Sequence, residues 1–202
     1  MIDFLAVFVF SFAVIDPIGT VPVFIAATRG FDEKEKRATA LKAVMVSGLV
    51  LLFFIIAGEL ILDAINIPLA AFQIAGGIVL FLFALSMIFG DSKPESEIKS
   101  IKNTTETAIF PLAMPSIASP GAMLAAVLLT ENASNNLLEQ AQTSGIIVLV
   151  LAIVLVLLLL ATKVHKIIGD AGASIISRVM GLILTAVAIS NIIEGIKISF
   201  NL

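Results

Sequence analysis

Asp16 is the residue best placed to do chemistry, because it stands inside the apolar run Ser11-Phe-Ala-Val-Ile-Asp-Pro-Ile-Gly-Thr-Val-Pro-Val-Phe24. The other acids near apolar stretches, Asp3, Glu59, Asp63, Glu131 and Glu194, fall toward the ends of those stretches. Pro17 and Pro22 each delete a backbone donor, and Gly19 weakens any helix between them. A continuous helix through this segment is therefore not expected. Its freed amides and carbonyls need partners in protein or in a polar cavity. Asp16 before Pro17 reads as an N-cap with proline at the first helical position. A carboxylate at that depth also offers a site for a proton or a sodium ion.

A second interruption reads Phe110-Pro-Leu-Ala-Met-Pro-Ser-Ile-Ala-Ser-Pro-Gly-Ala122, with Pro111, Pro115, Pro120 and Gly121. Here the capping residue is neutral Ser119. Two half-helices with converging N-termini present amides suited to a carboxylate, and the carbonyl ends before each break suit an ammonium group or Na⁺. Together they fit a small zwitterion. Gly19, Thr20, Ser116, Ser119 and Gly121 leave little bulk, although small residues also serve close helix packing. Asn191 is a further candidate for a cavity-facing group. Ser177, Gly181 and Thr185 form a stripe at spacing four that reads as packing, and His165 reads as a residue reaching for the lipid surface.

These residues need elements to hold them, and the composition says what kind. Of 202 residues 59% are hydrophobic and 13% charged, a balance no water-soluble fold can cover. The net charge of -3 offers no basic face for nucleic acid. With no cysteine and one histidine there is no thiolate nucleophile, cysteine zinc site or multi-histidine metal site. No cofactor is expected, and an intramembrane enzyme is not expected either. Apolar stretches at residues 4–28, 41–63, 67–90, 108–130, 144–164 and 174–198 each approach the ~20 residues of a spanning helix. The chain thus reads as one all-α transmembrane domain of six helices. The mixed-charge linker 91–107 divides it into halves 1–90 and 108–202.

Eleven bases, Arg29 through Arg178, fall in connections on one side and only Lys197 on the other. By the positive-inside rule both termini lie outside the cytoplasm. The lack of tryptophan and tyrosine removes an aromatic cage for quaternary ammonium drugs.

The halves resemble each other. Gly76 and Gly90 are matched by Gly181 and Gly195 at an offset of 105, which sets Ser86 against Asn191; Asp16-Pro17 is matched by Ser119-Pro120 at 103. Pairing Pro17 and Pro22 with Pro115 and Pro120 instead shifts the offset to 98 and sets Asp16 against Met114. The first pairing equates residues with one physical job. Three helices per half make the repeat inverted, with helices 1 and 4 broken near the midplane.

Asp16-Pro-Ile-Gly-Thr-Val-Pro-Val-Phe24, Ser119-Pro-Gly-Ala122 and Gly76-Gly77 resemble the MarC family of bacterial and archaeal six-helix membrane proteins, over essentially the whole chain. Asp16, Pro17, Gly19, Pro22 and Phe24 match its first signature, and Pro120 and Gly121 its second. Ser119 departs from the glycine often found there. The resemblance implies a relation to LysE-type exporters and transport of small neutral amino acids such as alanine or glycine across a bacterial or archaeal inner membrane. Coupling to H⁺ or Na⁺ stays open. The alternative is an exporter or channel for another small solute or ion on the same scaffold.

Overall fold

The computed structural model describes residues 3–89, 103–131 and 136–200, and every element in them is helical. Helix α1 (Phe4–Ile15) starts where the Asp3 carboxylate accepts the Leu5 and Ala6 amides, both at 3.1 Å. It ends at Asp16, whose backbone is left-handed at φ 48°. Helix α2 (Thr20–Ala27) carries Pro22 in its first turn, where a missing N–H costs nothing.

Helix α3 (Glu33–Ala64) opens on a capping box: the Asp32 carboxylate accepts the Glu35 amide at 2.7 Å and the Glu35 carboxylate accepts the Asp32 amide at 2.9 Å. At its other end Asn66 turns left-handed, the Ile67 amide donates to Leu62 O at 2.9 Å and the Asn66 amide to Asp63 O at 3.1 Å. Pro68 then forbids continuation, so α4 (Leu69–Phe89) folds straight back.

The second half begins with a single helical turn, α5 (Thr104–Thr107), which runs into the segment Ala108–Ile117. That segment is pulled out of helix at Phe110 (φ -133°, ψ 125°) and Met114 (φ -129°, ψ 128°), each preceding a proline that disfavours helical backbone. Helix α6 (Pro120–Leu128) follows, capped by Ser119, and is bent 59° from the stretch before the break. Helix α7 (Leu137–Leu159) opens on another capping box, Asn136 with Glu139. Helix α8 (Ala161–Phe200) is interrupted at Gly169, where φ is 65° and ψ 174°. His165 Nδ1 lies 3.7 Å from Asp170 Oδ1 across that interruption.

Five stretches are long and apolar enough to cross a membrane, and the bent pair of residues 104–128 makes a sixth. The helices of three expected spans have different bounds. The second span starts at Glu33 rather than 41, because its capping box lies outside the apolar run. The fifth starts at Leu137 and stops at Leu159, short of 164, since Lys163 and His165 belong to the first turns of α8. The sixth extends back to Ala161. Gly90 and linker residues 91–102 lie outside the described residues.

The interrupted segments form the centre. Of the apolar window in residues 4–27, 56% is buried, against 17% for α3 and 22% for α8. Leu49, Ile56, Leu82, Val148, Ile175 and Leu182 are each at least 60% exposed, an outward apolar surface that only lipid can solvate. Packing runs crosswise: α3 lies on the 108–117 segment and α6, while α7 lies on α1 and α2. The broadest contact joins α4 to α8. A Cβ on Gly77 would sit 3.0 Å from the Ala188 carbonyl, and one on Gly181 2.9 Å from the Ala84 carbonyl, so each helix seats a glycine against the other's backbone. Glu33, Lys36 and Arg37 share a groove with Leu158, Leu159 and Thr162, which collects the starts of α3 and α8 at one end.

Candidate functional site

Asp16 is held from three directions. Its left-handed backbone is tolerable because a short carboxylate can bond locally: Oδ1 accepts the Gly19 amide at 3.0 Å. Its own carbonyl accepts the Thr20 amide at 3.1 Å and the Thr20 hydroxyl at 3.0 Å. From α8, the Ser177 hydroxyl donates to Oδ2 at 2.9 Å. The carboxylate is 3% exposed. Asp16 thus ends α1 and caps the turn leading to α2, whereas the sequence suggests an N-cap directly before a helix at Pro17. Pro17 to Gly19 form a turn, and α2 starts three residues later.

Gly19 is required by space, not by backbone conformation, which is ordinary at φ -68°. A Cβ there would collide with Asp16 Oδ2 and Ser177 Oγ. Pro17 is buried beside the turn.

Ser119 does take the expected geometry, extended at ψ 161°, with its Oγ accepting the Ala122 amide at 3.1 Å. The same hydroxyl donates to Val14 O at 3.1 Å, a carbonyl in the last turn of α1. Ser116 Oγ lies 3.4 Å from Thr20 Oγ1. The two interrupted segments therefore touch through polar groups on both sides of the Asp16 turn. Gly121 serves this closeness, since a Cβ would stand 2.8 Å from Leu80 Cδ1 and 3.2 Å from Val14 Cγ1. Pro120 is exposed on the far side of its helix. On α3, the buried Ser47 hydroxyl donates to Ala43 O at 2.8 Å and reaches Ala113 O at 3.4 Å.

Asp16, Pro17, Gly19, Thr20, Ser116 and Ser119 are thus brought together, with Pro22 one helical turn away. Asn191 stands apart: it lies fourteen residues beyond Ser177 on α8, about 21 Å along the axis. The α8 residue that reaches Asp16 is Ser177. Its stripe with Gly181 and Thr185 is indeed at a packing surface, and no local signal marks the first hydroxyl as a partner for Asp16. Among the described residues no group of three or more histidine, aspartate and glutamate side chains is placed to hold a metal ion.

The pattern described as "MarC family integral membrane protein" matches residues 1–200. A UPF0056 membrane protein of Methanocaldococcus jannaschii is 38% identical over 197 residues, covering 96% of both chains. One of Aquifex aeolicus is 32% identical over 96% of this chain and 92% of its own, and YvbG of Bacillus subtilis 32% identical over 95% and 92%. No solved structure matches the chain. With relatives in bacteria and archaea aligned over more than 90% of both chains, and with five stretches long and apolar enough to cross a membrane or six where the bent pair is one span, the chain is a multi-pass integral membrane protein and belongs to the MarC family.

Proposed function

We propose that the protein is a secondary transporter for small neutral amino acids such as alanine or glycine, working by alternating access and coupled to H⁺ or Na⁺. In this reading α1–α2 and residues 104–128 are two interrupted spans whose breaks meet near the bilayer midplane. The halves are inverted three-helix repeats, the basic end faces the cytoplasm, and both termini lie outside it. The observation that carries it is the buried Asp16 carboxylate at a helix break that a second break touches through Ser119 on Val14 O and Ser116 on Thr20. A charge kept at such depth costs ~2.5–3.5 kcal/mol on insertion scales and marks a pathway for polar solutes. The small residues around it bring the two breaks into close contact, and in this reading Asp16 is the natural partner for an ammonium group or coupling cation.

Physical correspondences support the repeat. The capping boxes Asp32–Glu35 and Asn136–Glu139 are offset by 104. Gly77 with Ala84 and Gly181 with Ala188 are offset by 104 as well, and these are the residues that exchange glycine-on-carbonyl contacts. Thr28 after α2 and Thr130 after α6 are both buried and both bond back four residues, to Phe24 O at 2.7 Å and Ala126 O at 2.6 Å. The crosswise packing of α3 and α7 on the opposite half's interrupted span is what a pseudo-two-fold axis produces.

The test is uptake of radiolabelled alanine and glycine into proteoliposomes, with and without proton and sodium gradients. Saturable flux that disappears in Asp16→Asn is expected. Absence of saturable flux for both amino acids under every gradient refutes the reading.

A further inference from the structure

We infer that Ser177 is a positioning residue of the site: its hydroxyl fixes the Asp16 carboxylate against α8 and so ties the break between α1 and α2 to the α4–α8 pair. This rests on the transport reading for its functional consequence, but its structural part stands on geometry alone.

The Asp16 carboxylate has two oxygens with different jobs. Oδ1 closes the local turn through the Gly19 amide, a bond whose geometry depends on how the carboxylate is held. Oδ2 accepts from Ser177, 161 residues away in sequence, so this bond reports on how the turn sits against α8. The space for it is reserved. Gly19 is the residue whose missing Cβ leaves room for Asp16 Oδ2 and Ser177 Oγ together, although its backbone would suit any residue. Ser177 is itself firmly based, because one helical turn on, Gly181 lies against the Ala84 carbonyl and the Met87 side chain of α4. A bond from a rigid helix pair to one oxygen of the carboxylate sets the direction of the other lone pairs. Such orientation is what a group receiving an ammonium or a cation requires. A hydroxyl serves well, since it donates to the carboxylate without adding a second charge at that depth.

The experiment compares wild type, Ser177→Ala and Ser177→Thr in two assays. The first is hydrogen exchange at the Gly19 and Thr20 amides, whose acceptors are both on Asp16. Ser177→Ala is expected to speed exchange there by about tenfold or more, the scale of a lost hydrogen bond to a charged group, while Ser177→Thr, which keeps the hydroxyl, stays near wild type. The second is alanine flux in proteoliposomes. The half-saturation concentration is expected to rise about tenfold in Ser177→Ala, with maximal flux held within about twofold, and to return in Ser177→Thr. A merely structural residue would lower the amount of active protein and leave half-saturation alone. If Ser177→Ala does not reconstitute, Ser177→Cys, near in shape and a weak donor, takes its place. Wild-type exchange at Gly19 and Thr20 in the variant overturns the proposal, as does unchanged half-saturation. If the wild type carries neither amino acid, the transport reading falls while the exchange assay still decides the role of Ser177.

Discussion

Replacing Gly19 with alanine tests the geometry of the site by adding one methyl group. The backbone at Gly19, φ -68° and ψ -17°, accommodates alanine, and loss of a glycine's freedom in the unfolded chain should by itself stabilise by ~0.4–1 kcal/mol. The new Cβ, however, occupies space held by Asp16 Oδ2 and Ser177 Oγ, so the bond between them must open. A hydrogen bond to a charged group is worth ~1.5–3 kcal/mol, which leaves a net loss of about 0.5–2.5 kcal/mol. At ~2–4 °C per kcal/mol for a chain of this size, the melting point in detergent should fall by about 1–10 °C. Gly145→Ala is the matched control, because a Cβ there meets nothing within 4 Å and only the stabilising effect remains. The chain has no tryptophan or tyrosine, so melting is followed by circular dichroism. The double variant Gly19→Ala/Ser177→Ala should lose less than the two single losses added, with a coupling of about 1 kcal/mol. The reasoning is refuted if Gly19→Ala melts at or above Gly145→Ala.

Ser119→Ala removes both the cap of α6 and the tie to Val14 O, and should cost about 1–3 kcal/mol in the same melting assay, whereas Ser119→Asn, which retains a capping acceptor, should recover part of it. Gly181→Val must push α4 off α8 at the Ala84 carbonyl, an overpacking that should destabilise by about 1–3 kcal/mol, and Gly77→Val should do the same at Ala188. The absence of cysteine makes single-cysteine labelling direct: a cysteine at Lys163 should react with a membrane-impermeant maleimide only from the cytoplasmic side, and one at Leu137 only from outside. Labelling at Lys163 from outside and at Leu137 from the cytoplasmic side would reverse that assignment.

Much of the fold was legible in residue types that either favour lipid or interrupt a helix. Hydropathy located the apolar stretches, and the narrow gap between 41–63 and 67–90 placed the short connection between α3 and α4. Hydropathy misplaced boundaries because it registers preference for lipid, not where backbone hydrogen bonding ends. Asp32-x-x-Glu35 and Asn136-x-x-Glu139 carried that second signal, and both lie outside the apolar runs. The prolines announced the interruptions. They did not say that Asp16 would turn left-handed and sit four residues before the start of α2, since that outcome depends on which amide its carboxylate reaches first. Ser177 was illegible for a different reason. Its role is set by the rotation of α8 about its axis, which the Gly181 contact with α4 decides. The repeat offset pointed to Asn191 because it compares positions within halves, whereas the site is assembled between them.

The distance in sequence between Asp16 and Ser177 has a consequence for how the protein is made. At roughly 5–20 residues per second, the separation of 161 positions takes about 8–30 s to synthesise. The first span is therefore made well before the α8 hydroxyl that its carboxylate accepts from. Ser119, and with it the bond to Val14 O, emerges from the ribosome well before Ser177. Both partners of the contact between the two interrupted segments are thus present in the chain before the last helix supplies its hydroxyl.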